Sequence, residues 1–223
     1  MASTPRSTHH GSDEVAAMTT ISSIEELREL YREPSEPVKA KKAGTIGPET
    51  ATRLTASPFV LLATSSSDGK CDVSPRGGPP GMVITLDEHT IAIPDLGGNN
   101  LIDSLTNIVD NPHAGLLVLS PGNDETVRID GRASLRTDDV ILDRWEGLFR
   151  RPKLAVVIEV DAVFIHCAKA FRRSGLWDPT TWNDEAPDAS MLFNEHLGGG
   201  LDVEAIRASL EESYETDLAA ERL

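Results

Sequence analysis

Basic residues are scarce in this sequence. Its 223 residues include 21 Lys and Arg against 36 Asp and Glu, so the formal net charge is −15 at pH 7. Proteins that hold nucleic acid regardless of its sequence need clustered cations to neutralise phosphates. The charge balance therefore excludes that class of function and indicates an acidic, well-solvated surface.

Cysteine is also scarce, since Cys71 and Cys167 are the only two in the sequence. A chain of this length buries a core that needs no disulfide, and we expect a protein of the reducing cytoplasm. No base pattern marks Cys167 as a nucleophile, and no Ser-His-Asp arrangement stands out. His166 and Cys167 have no further ligand at metal-binding spacing, so we predict no metal site.

A long hydrophobic run is missing from residues 1–20, which are rich in Ser, Thr, His and Gly. They match neither a secretory signal nor a membrane span. We predict a disordered tail over residues 1–20, in which His9 and His10 are solvated.

Residues 21–57 are predicted as an N-terminal helix followed by a linker. Ser22 and Ser23 each fit a capping box, and Pro34 is expected to end the helix. An apolar stripe on the helix consists of Ile24, Leu27, Leu30 and Tyr31. The linker carries three lysines, Lys39, Lys41 and Lys42, with no aromatic residue among them. This run is typical of a solvated loop rather than a binding patch.

Residues 58–177 form the main predicted domain, and residues 178–223 a C-terminal helical extension. Packing of this extension on the barrel or on a partner subunit stays open, and the acidic face of its last helix is expected to be solvated. Short runs rich in β-branched residues alternate with turn signals in the main domain. The predicted strands are residues 59–64, 70–75, 82–86, 90–93, 114–119, 126–135 and 154–165. Hairpin-length loops join most of them, whereas parallel strands need long crossovers. The pattern predicts a mainly β protein with peripheral helices (α+β), its antiparallel sheet closed into a small barrel.

Two helices are predicted to interrupt the strands. The first opens at Gly97-Gly98-Asn99-Asn100, and its apolar face comprises Leu101, Ile102, Leu105, Ile108 and Val109. Glycines let the backbone approach a ligand, and the N–H groups of a helix N-terminus favour an anion. The second helix begins after residues 137–139 and is expected to lay its apolar residues over the barrel: Val140, Ile141, Trp145 and Leu148.

Several motifs, in this order along the chain, resemble the pyridoxamine 5′-phosphate oxidase-like flavoproteins. They are SPRG at residues 74–77, IPDLGGNN at 93–100, ETVRIDGRA at 125–133 and HCAKAFRRSGLW at 166–177. The first and last are typical of a bacterial subgroup of that family. The resemblance covers residues 59–177. It implies an antiparallel split β-barrel of the FMN-binding type, FMN as the cofactor, and a homodimer with two flavin sites at the subunit interface.

The resemblance also implies a set of flavin-binding positions. The segment that ends in Ser74, Arg76 and Gly77 matches the one that reaches flavin ring and phosphate. Ile93 and Pro94 match a pair that lies along the isoalloxazine. The positions implied by the resemblance are Ser74, Arg76, Gly77, Ile93, Pro94, Asn99, Asn100 and Thr126. Our own candidates complete the predicted flavin-binding set: Arg128, Lys169, Arg172 and Arg173 as cations and Trp177 as a wall of the pocket.

Asn99 and Asn100 stand where the oxidase has an adjacent Arg-Lys pair, and Thr126 stands where it has a flavin-contacting Gln. Two amides do not offset a phosphate's charge as two cations do. Other groups must therefore supply that charge, and backbone N–H groups at residues 98–100 add to it. The candidate cations are Arg76, Arg128, Lys169, Arg172 and Arg173. The presence of Asn99 and Asn100 in place of the Arg-Lys pair also argues against true pyridoxamine phosphate oxidation.

Each candidate also has a structural alternative. Arg76 can cap a turn, Arg128 can form an exposed cross-strand ion pair, and Trp177 can be ordinary packing rather than the wall of a pocket. The expected function is that of an FMN-dependent oxidoreductase acting on a small molecule, with no catalytic side chain assigned. Two alternatives remain open: a non-catalytic flavin-binding protein of redox stress, and a split barrel that binds deazaflavin or haem.

Overall fold

A computed structural model describes residues 20–183 and 185–223 of the chain. The predictions of a disordered tail and of solvated His9 and His10 fall on residues 1–19, outside the described residues. The chain divides into two compact units, Met1–Lys39 and Ala40–Leu223.

Helix α1 (Ile24–Leu30) is the main element of the first unit. The Ser23 hydroxyl accepts a hydrogen bond from the Glu26 N–H at 3.1 Å, and the Glu26 carboxylate accepts one from the Ser22 N–H at 2.8 Å. The predicted capping box is therefore present, with its return bond going to Ser22. The helix ends well before Pro34, so this proline does not terminate it. The apolar stripe is exposed at all four positions: Ile24, Leu27, Leu30 and Tyr31.

Two further helices occupy the segment that the sequence predicted as a linker, and that prediction is corrected here. Helix α2 (Glu36–Ala40) spans the division between the units, and α3 (Pro48–Ala56) lies in the second. Pro48 stands in the first turn of α3, where its missing N–H costs no hydrogen bond. Leu54 of α3 is fully buried, so this helix belongs to the core.

The second unit is built on seven strands, each within two residues of its predicted ends. They are β1 (Phe59–Ser65), β2 (Cys71–Gly77), β3 (Ile84–Asp87), β4 (Thr90–Pro94), β5 (His113–Leu119), β6 (Thr126–Arg136) and β7 (Ala155–His166). They form one sheet in the order β2-β1-β5-β6-β7-β4-β3, and each neighbouring pair is antiparallel.

The sheet is open, because β2 and β3 form its two edges and do not pair with each other among the described strands. The expectation of a fully closed barrel was therefore wrong, whereas the mainly β, antiparallel split-barrel class is confirmed. Pro75 lies within β2. This agrees with an edge position, because proline has no backbone N–H to donate to a neighbouring strand.

A register shift between Asp130 and Gly131 interrupts the long pairing of β6 with β7. A Cβ atom built on Gly131 would overlap the backbone carbonyl oxygen of Glu159. Glycine is therefore required at this bulge, where the two strands bend together.

The remaining helices cover the sheet or follow it. They are α4 (Asp103–Asp110), α5 (Asp139–Leu142), α6 (Lys169–Ser174), α7 (Ala189–His196) and α8 (Val203–Glu221). A 3₁₀ turn extends α5 to Trp145, which is buried and donates from Nε1 to the Met82 carbonyl at 3.1 Å. Val140 and Leu148 are exposed, so the prediction that they lie over the sheet was wrong. The buried residues of this segment are Ile141, Leu142, Trp145 and, after the 3₁₀ turn, Phe149.

The predicted C-terminal helices are present. The Asp202 carboxylate caps α8 by accepting hydrogen bonds from two backbone N–H groups. Arg207 of α8 donates to Asp188, before α7, at 3.0 and 2.6 Å. Within the described part of the chain, no helix combines the length and apolar character needed to cross a membrane.

Candidate functional site

A cleft of about 760 Å³ lies beside the edge strand β2, a volume typical of small-molecule sites. Four stretches of chain form its walls: β2, residues 94–105, residues 150–153 and the C-terminal end of α8. All four belong to the second compact unit.

The wall formed by β2 presents three polar side chains to the cleft. Asp72, Ser74 and Arg76 alternate along the strand, so they share one face. The Asp72 carboxylate accepts a hydrogen bond from the buried Ser104 hydroxyl at 2.5 Å. This contact fixes the start of α4 against β2.

Arg76 is the most enclosed cation of the cleft. Its Nη1 donates to the Asp95 carboxylate at 2.8 Å, and the two side chains are only 19% and 17% exposed. Its Nε is buried and has no hydrogen-bond partner among the described residues. A buried donor without an acceptor costs about 1–3 kcal/mol, so this N–H is suited to an acceptor supplied by a ligand. Arg76 is therefore an ion-paired group of the cleft and not a turn cap.

The loop before α4 differs from its prediction. Helix α4 begins at Asp103, several residues after Gly97, and Asp103 places an acid in its first turn. The helix-terminus argument for an anion at residues 97–100 is therefore wrong, although all four residues line the cleft. Leu101 and Ile102 precede the helix and are exposed, and so is Val109. The buried face of α4 is reduced to Ser104, Leu105 and Ile108.

Asn99 and Asn100 shape this loop through the backbone. The Asn99 side chain accepts a hydrogen bond from the Leu101 N–H at 3.0 Å. Asn100 has a φ of 59°, a left-handed conformation that asparagine tolerates better than most residues. The two amides that replace the oxidase's cations thus favour a tight loop at the cleft.

Three cations of the cleft were missed by the sequence reading: Arg150, Arg151 and Lys153. Arg151 forms ion pairs with Asp139 and Asp143. Arg150 and Lys153 form no ion pair in the part of the chain that the structure describes. The available signal was the cluster Arg150-Arg151-Pro152-Lys153, which is unusually basic for so acidic a chain.

The end of α8 supplies the opposite wall through Tyr214, Asp217, Ala220 and Glu221. Glu221 Oε1 accepts a hydrogen bond from the Gly97 N–H at 2.6 Å. The backbone carbonyl of Glu221 accepts another from the Arg150 N–H at 2.8 Å. The prediction that the acidic face of this helix is merely solvated is therefore corrected at its C-terminal end.

The predicted flavin-binding residues divide into two groups. Six of them line the cleft: Ser74, Arg76, Gly77, Pro94, Asn99 and Asn100. The other seven do not: Ile93, Thr126, Arg128, Lys169, Arg172, Arg173 and Trp177. Ile93 is buried in the core beneath the cleft, and Thr126 is buried at the start of β6. Their proposed contacts with flavin stay predictions.

Arg128 lies on an exposed part of β6 and forms an ion pair at 3.2 Å with Asp130 of the same strand, so this pair is not the cross-strand pair of its structural alternative. Its guanidinium is 5.9 Å from the centre of the Phe164 ring. Lys41 and Lys42 approach the same ring at 5.6 and 5.3 Å. The lysine run therefore does meet an aromatic residue, which comes from β7 and not from its own segment.

Helix α6 is fastened to the turn between β5 and β6. Arg172 pairs with Asp124 at 3.0 Å, and Trp177 Nε1 donates to the Asn123 carbonyl at 2.9 Å. Trp177 also stacks on Phe171 with ring centres 5.7 Å apart. Arg173 Nε donates to the carbonyl oxygen of Lys169. Within a single chain, these residues therefore contact one another and the turn between β5 and β6, and not the cleft.

The order of strands in the sheet separates the predicted residues that line the cleft from those on β6. Arg76 on β2 pairs with Val60 on β1, Val60 with Val118 on β5, and Val118 with Val127 on β6. Three strand spacings of about 4.8 Å therefore lie between Arg76 and the residues beside Thr126. Among the described residues, no group of three or more His, Cys, Asp or Glu is placed to hold a metal ion.

Several known proteins are similar to this chain. A profile of the pyridoxamine 5′-phosphate oxidase family matches residues 46–167. HupZ from Group A Streptococcus is 18% identical with a TM-score of 0.45, over 54% of this chain and 93% of that chain. An FMN-binding protein from Syntrophomonas wolfei is 16% identical with a TM-score of 0.42, over 53% and 85%. HutZ, the heme storage protein from Vibrio cholerae, is 14% identical with a TM-score of 0.36, over 54% and 94%. No curated protein matches the chain.

Proposed function

This chain belongs to the pyridoxamine 5′-phosphate oxidase family, and from that premise we propose that its cleft binds FMN and that the protein is an FMN-dependent oxidoreductase acting on a small molecule. The observation that carries the proposal is Arg76. Its guanidinium is enclosed in the cleft, ion-paired on one side and left with a buried, unbonded Nε–H on the other. Such a donor favours an anionic or carbonyl acceptor from a ligand.

The charges of the cleft fit a phosphorylated ligand in a specific way. FMN carries nearly two negative charges on its phosphate, and Asn99 and Asn100 do not offset them. Arg150 and Lys153 stand at the cleft without ion-pair partners among the described residues, so they are the cations we assign to the phosphate. Arg76 is assigned to a polar edge of the ligand.

The apolar part of the cleft suits a planar ring. Pro94 and Met82 contribute apolar surface beside β2, and buried Ile93 supports that surface from the core. When bound, the flavin ring supplies hydride and single-electron transfer. The chain's own task is to orient that ring and leave room for a substrate.

We further propose a homodimer in which a second copy completes the site. In one chain, Thr126, Arg128 and the α6 residues lie away from the cleft. The family resemblance nevertheless assigns Thr126 to the flavin, and the sequence predicts the others as candidate cations for its phosphate. A partner subunit that brings its β6 and α6 to the cleft reconciles these facts. Exposed Val73 on β2, together with Leu101 and Ile102, gives the cleft an apolar margin suited to such a contact.

The enzymatic proposal is tested with FMN-loaded protein under anaerobic conditions. We expect NADH or NADPH to bleach the flavin absorbance, and a quinone, nitro or carbonyl compound to restore it over many cycles. Flavin that stays oxidised with every donor would instead identify a flavin-storing protein.

The dimer is tested by sedimentation and by mixing Arg76→Ala with Arg128→Ala protein. If the sites are shared between subunits, the mixture regains FMN binding that neither variant has alone, whereas a monomer regains none.

A further inference from the structure

A carboxylate of the protein itself occupies one wall of the cleft. Glu221 Oε1 accepts the Gly97 N–H at 2.6 Å, in the loop between β4 and α4. Charged acceptors such as carboxylates and phosphates take short, strong hydrogen bonds from backbone N–H groups. The contact therefore uses a donor that an anionic ligand in this cleft would also seek.

Glu221 links two walls of the cleft at once. Its side chain bonds to the loop that contains Gly97, and its carbonyl oxygen accepts the Arg150 N–H at 2.8 Å, beside the cations of residues 150–153. It is the last residue of α8. Tyr214, Asp217 and Ala220 reach the cleft from the same helix.

The helix that carries Glu221 is weakly held. None of the 19 residues of α8 is buried. Its firm attachment lies near its N-terminus, where Arg207 pairs with Asp188. A helix held by a few polar contacts opens locally at low free-energy cost. The C-terminal end can therefore separate from the cleft without disturbing the sheet.

We propose that Glu221 is a built-in competitor of the ligand's phosphate, so that the C-terminal end of α8 stays bonded to the Gly97 loop in the absence of ligand and is displaced when a phosphorylated ligand enters. This inference rests on the proposed flavin site. A carboxylate and a phosphate on the same backbone donor repel each other, so the two cannot occupy it together. The family match covers residues 46–167. The contact therefore joins Gly97, within the matched region, to Glu221 in the extension that follows it.

The test compares FMN with riboflavin, which has the same ring and no phosphate. In fluorescence titrations of the full chain, Glu221→Ala should tighten FMN binding about fivefold to tenfold and leave riboflavin binding unchanged. Glu215→Ala is the matched control, because it removes a carboxylate from the same helix at a position that does not line the cleft. It should change neither affinity. Unchanged or weaker FMN binding by Glu221→Ala, or an equal gain for both ligands, would overturn the proposal.

Amide hydrogen exchange separates this inference from the flavin proposal. Without ligand, Glu221→Ala should accelerate exchange at Gly97, and adding FMN to the unmodified protein should accelerate exchange in residues 214–221. If neither flavin binds to any variant, the flavin proposal fails by itself. Inorganic phosphate is then the probe: faster exchange in residues 214–221 on adding phosphate supports competition, and unchanged exchange refutes it.

Discussion

Arg76 on the edge strand and Asp95 after β4 form an ion pair at 2.8 Å that joins two walls of the cleft. Arg76 lies on β2, at one edge of the sheet, and Asp95 directly follows β4, which neighbours the other edge strand. The pair therefore brings the two edges of the open sheet towards each other. It places a guanidinium with one unsatisfied donor at the point where they meet.

Replacement of Arg76 tests this pair directly. Arg76→Ala should weaken FMN binding about tenfold to hundredfold, because a charge-assisted contact worth about 1.5–3 kcal/mol is lost. Arg76→Lys is the matched variant, since it retains the charge and loses the planar fork and the Nε–H. We expect it to recover only part of the affinity in a fluorescence titration. Full affinity in Arg76→Ala would remove this residue from the site.

The cations at residues 150–153 should act on the phosphate alone. The double variant Arg150→Gln with Lys153→Gln is expected to weaken FMN binding several-fold, to reduce its salt dependence and to spare riboflavin. Arg151→Gln is the contrast, because its ion pairs with Asp139 and Asp143 give it a structural role. Isothermal titration with FMN and with riboflavin at two salt concentrations measures the affinities and their salt dependence. An equal loss for the two ligands would argue against a phosphate contact.

Gly131 should be the least replaceable glycine of the sheet. Gly131→Ala forces a methyl group into the Glu159 carbonyl, which cannot move without breaking the β6–β7 ladder. We expect a loss of about 1–3 kcal/mol in the free energy of unfolding, at the upper end of this range because the clash is with backbone. Gly44→Ala is the control, since its Cβ would meet only ordinary contact at 3.9 Å. Urea denaturation compares the two, and equal midpoints would contradict the bulge argument.

The attachment of α8 should depend on pH through Asp188. Hydrogen bonds from the Ser190 hydroxyl, the Met191 N–H and Arg207 hold the pKa of Asp188 well below its ordinary value of 3.8. Because the folded pKa is the lower one, the ionised group stabilises the fold above 3.8, and this contribution is lost as the pH falls below 3.8. The difference in melting temperature between the unmodified protein and Asp188→Ala should therefore shrink below that pH. A difference that stays constant would contradict the assignment.

Local pattern predicted the strands well and the site only in part. The β-branched runs of β1, β5 and β7 carry their own signal, because alternation along a strand is a property of neighbouring residues. Whether β2 meets β3 is a property of the whole sheet, and nothing near Pro75 or Ile84 encodes it. The helix at residues 48–56 was missed because this segment was interpreted as a linker, although the proline at its start also favours the first turn of a helix.

Distance along the chain explains the missed part of the cleft. Glu221 and Gly97 are 124 residues apart, and no periodicity connects them. Lys41 and Lys42 were interpreted as solvated because the aromatic ring that they approach, Phe164, lies in β7, more than 100 residues further along the chain. Arg76 was found because the SPRG motif at residues 74–77 is local in the sequence and resembles a flavin-binding segment of the family.

The central claim is that the cleft holds a phosphorylated flavin, and its most direct test is an absorbance spectrum of the purified protein followed by parallel titrations with FMN and riboflavin. The account predicts the visible bands of oxidised flavin, or saturable FMN binding by apoprotein that is tighter than riboflavin binding and weakened by Arg76→Ala. A colourless protein that leaves the spectrum and fluorescence of added FMN unchanged would contradict it.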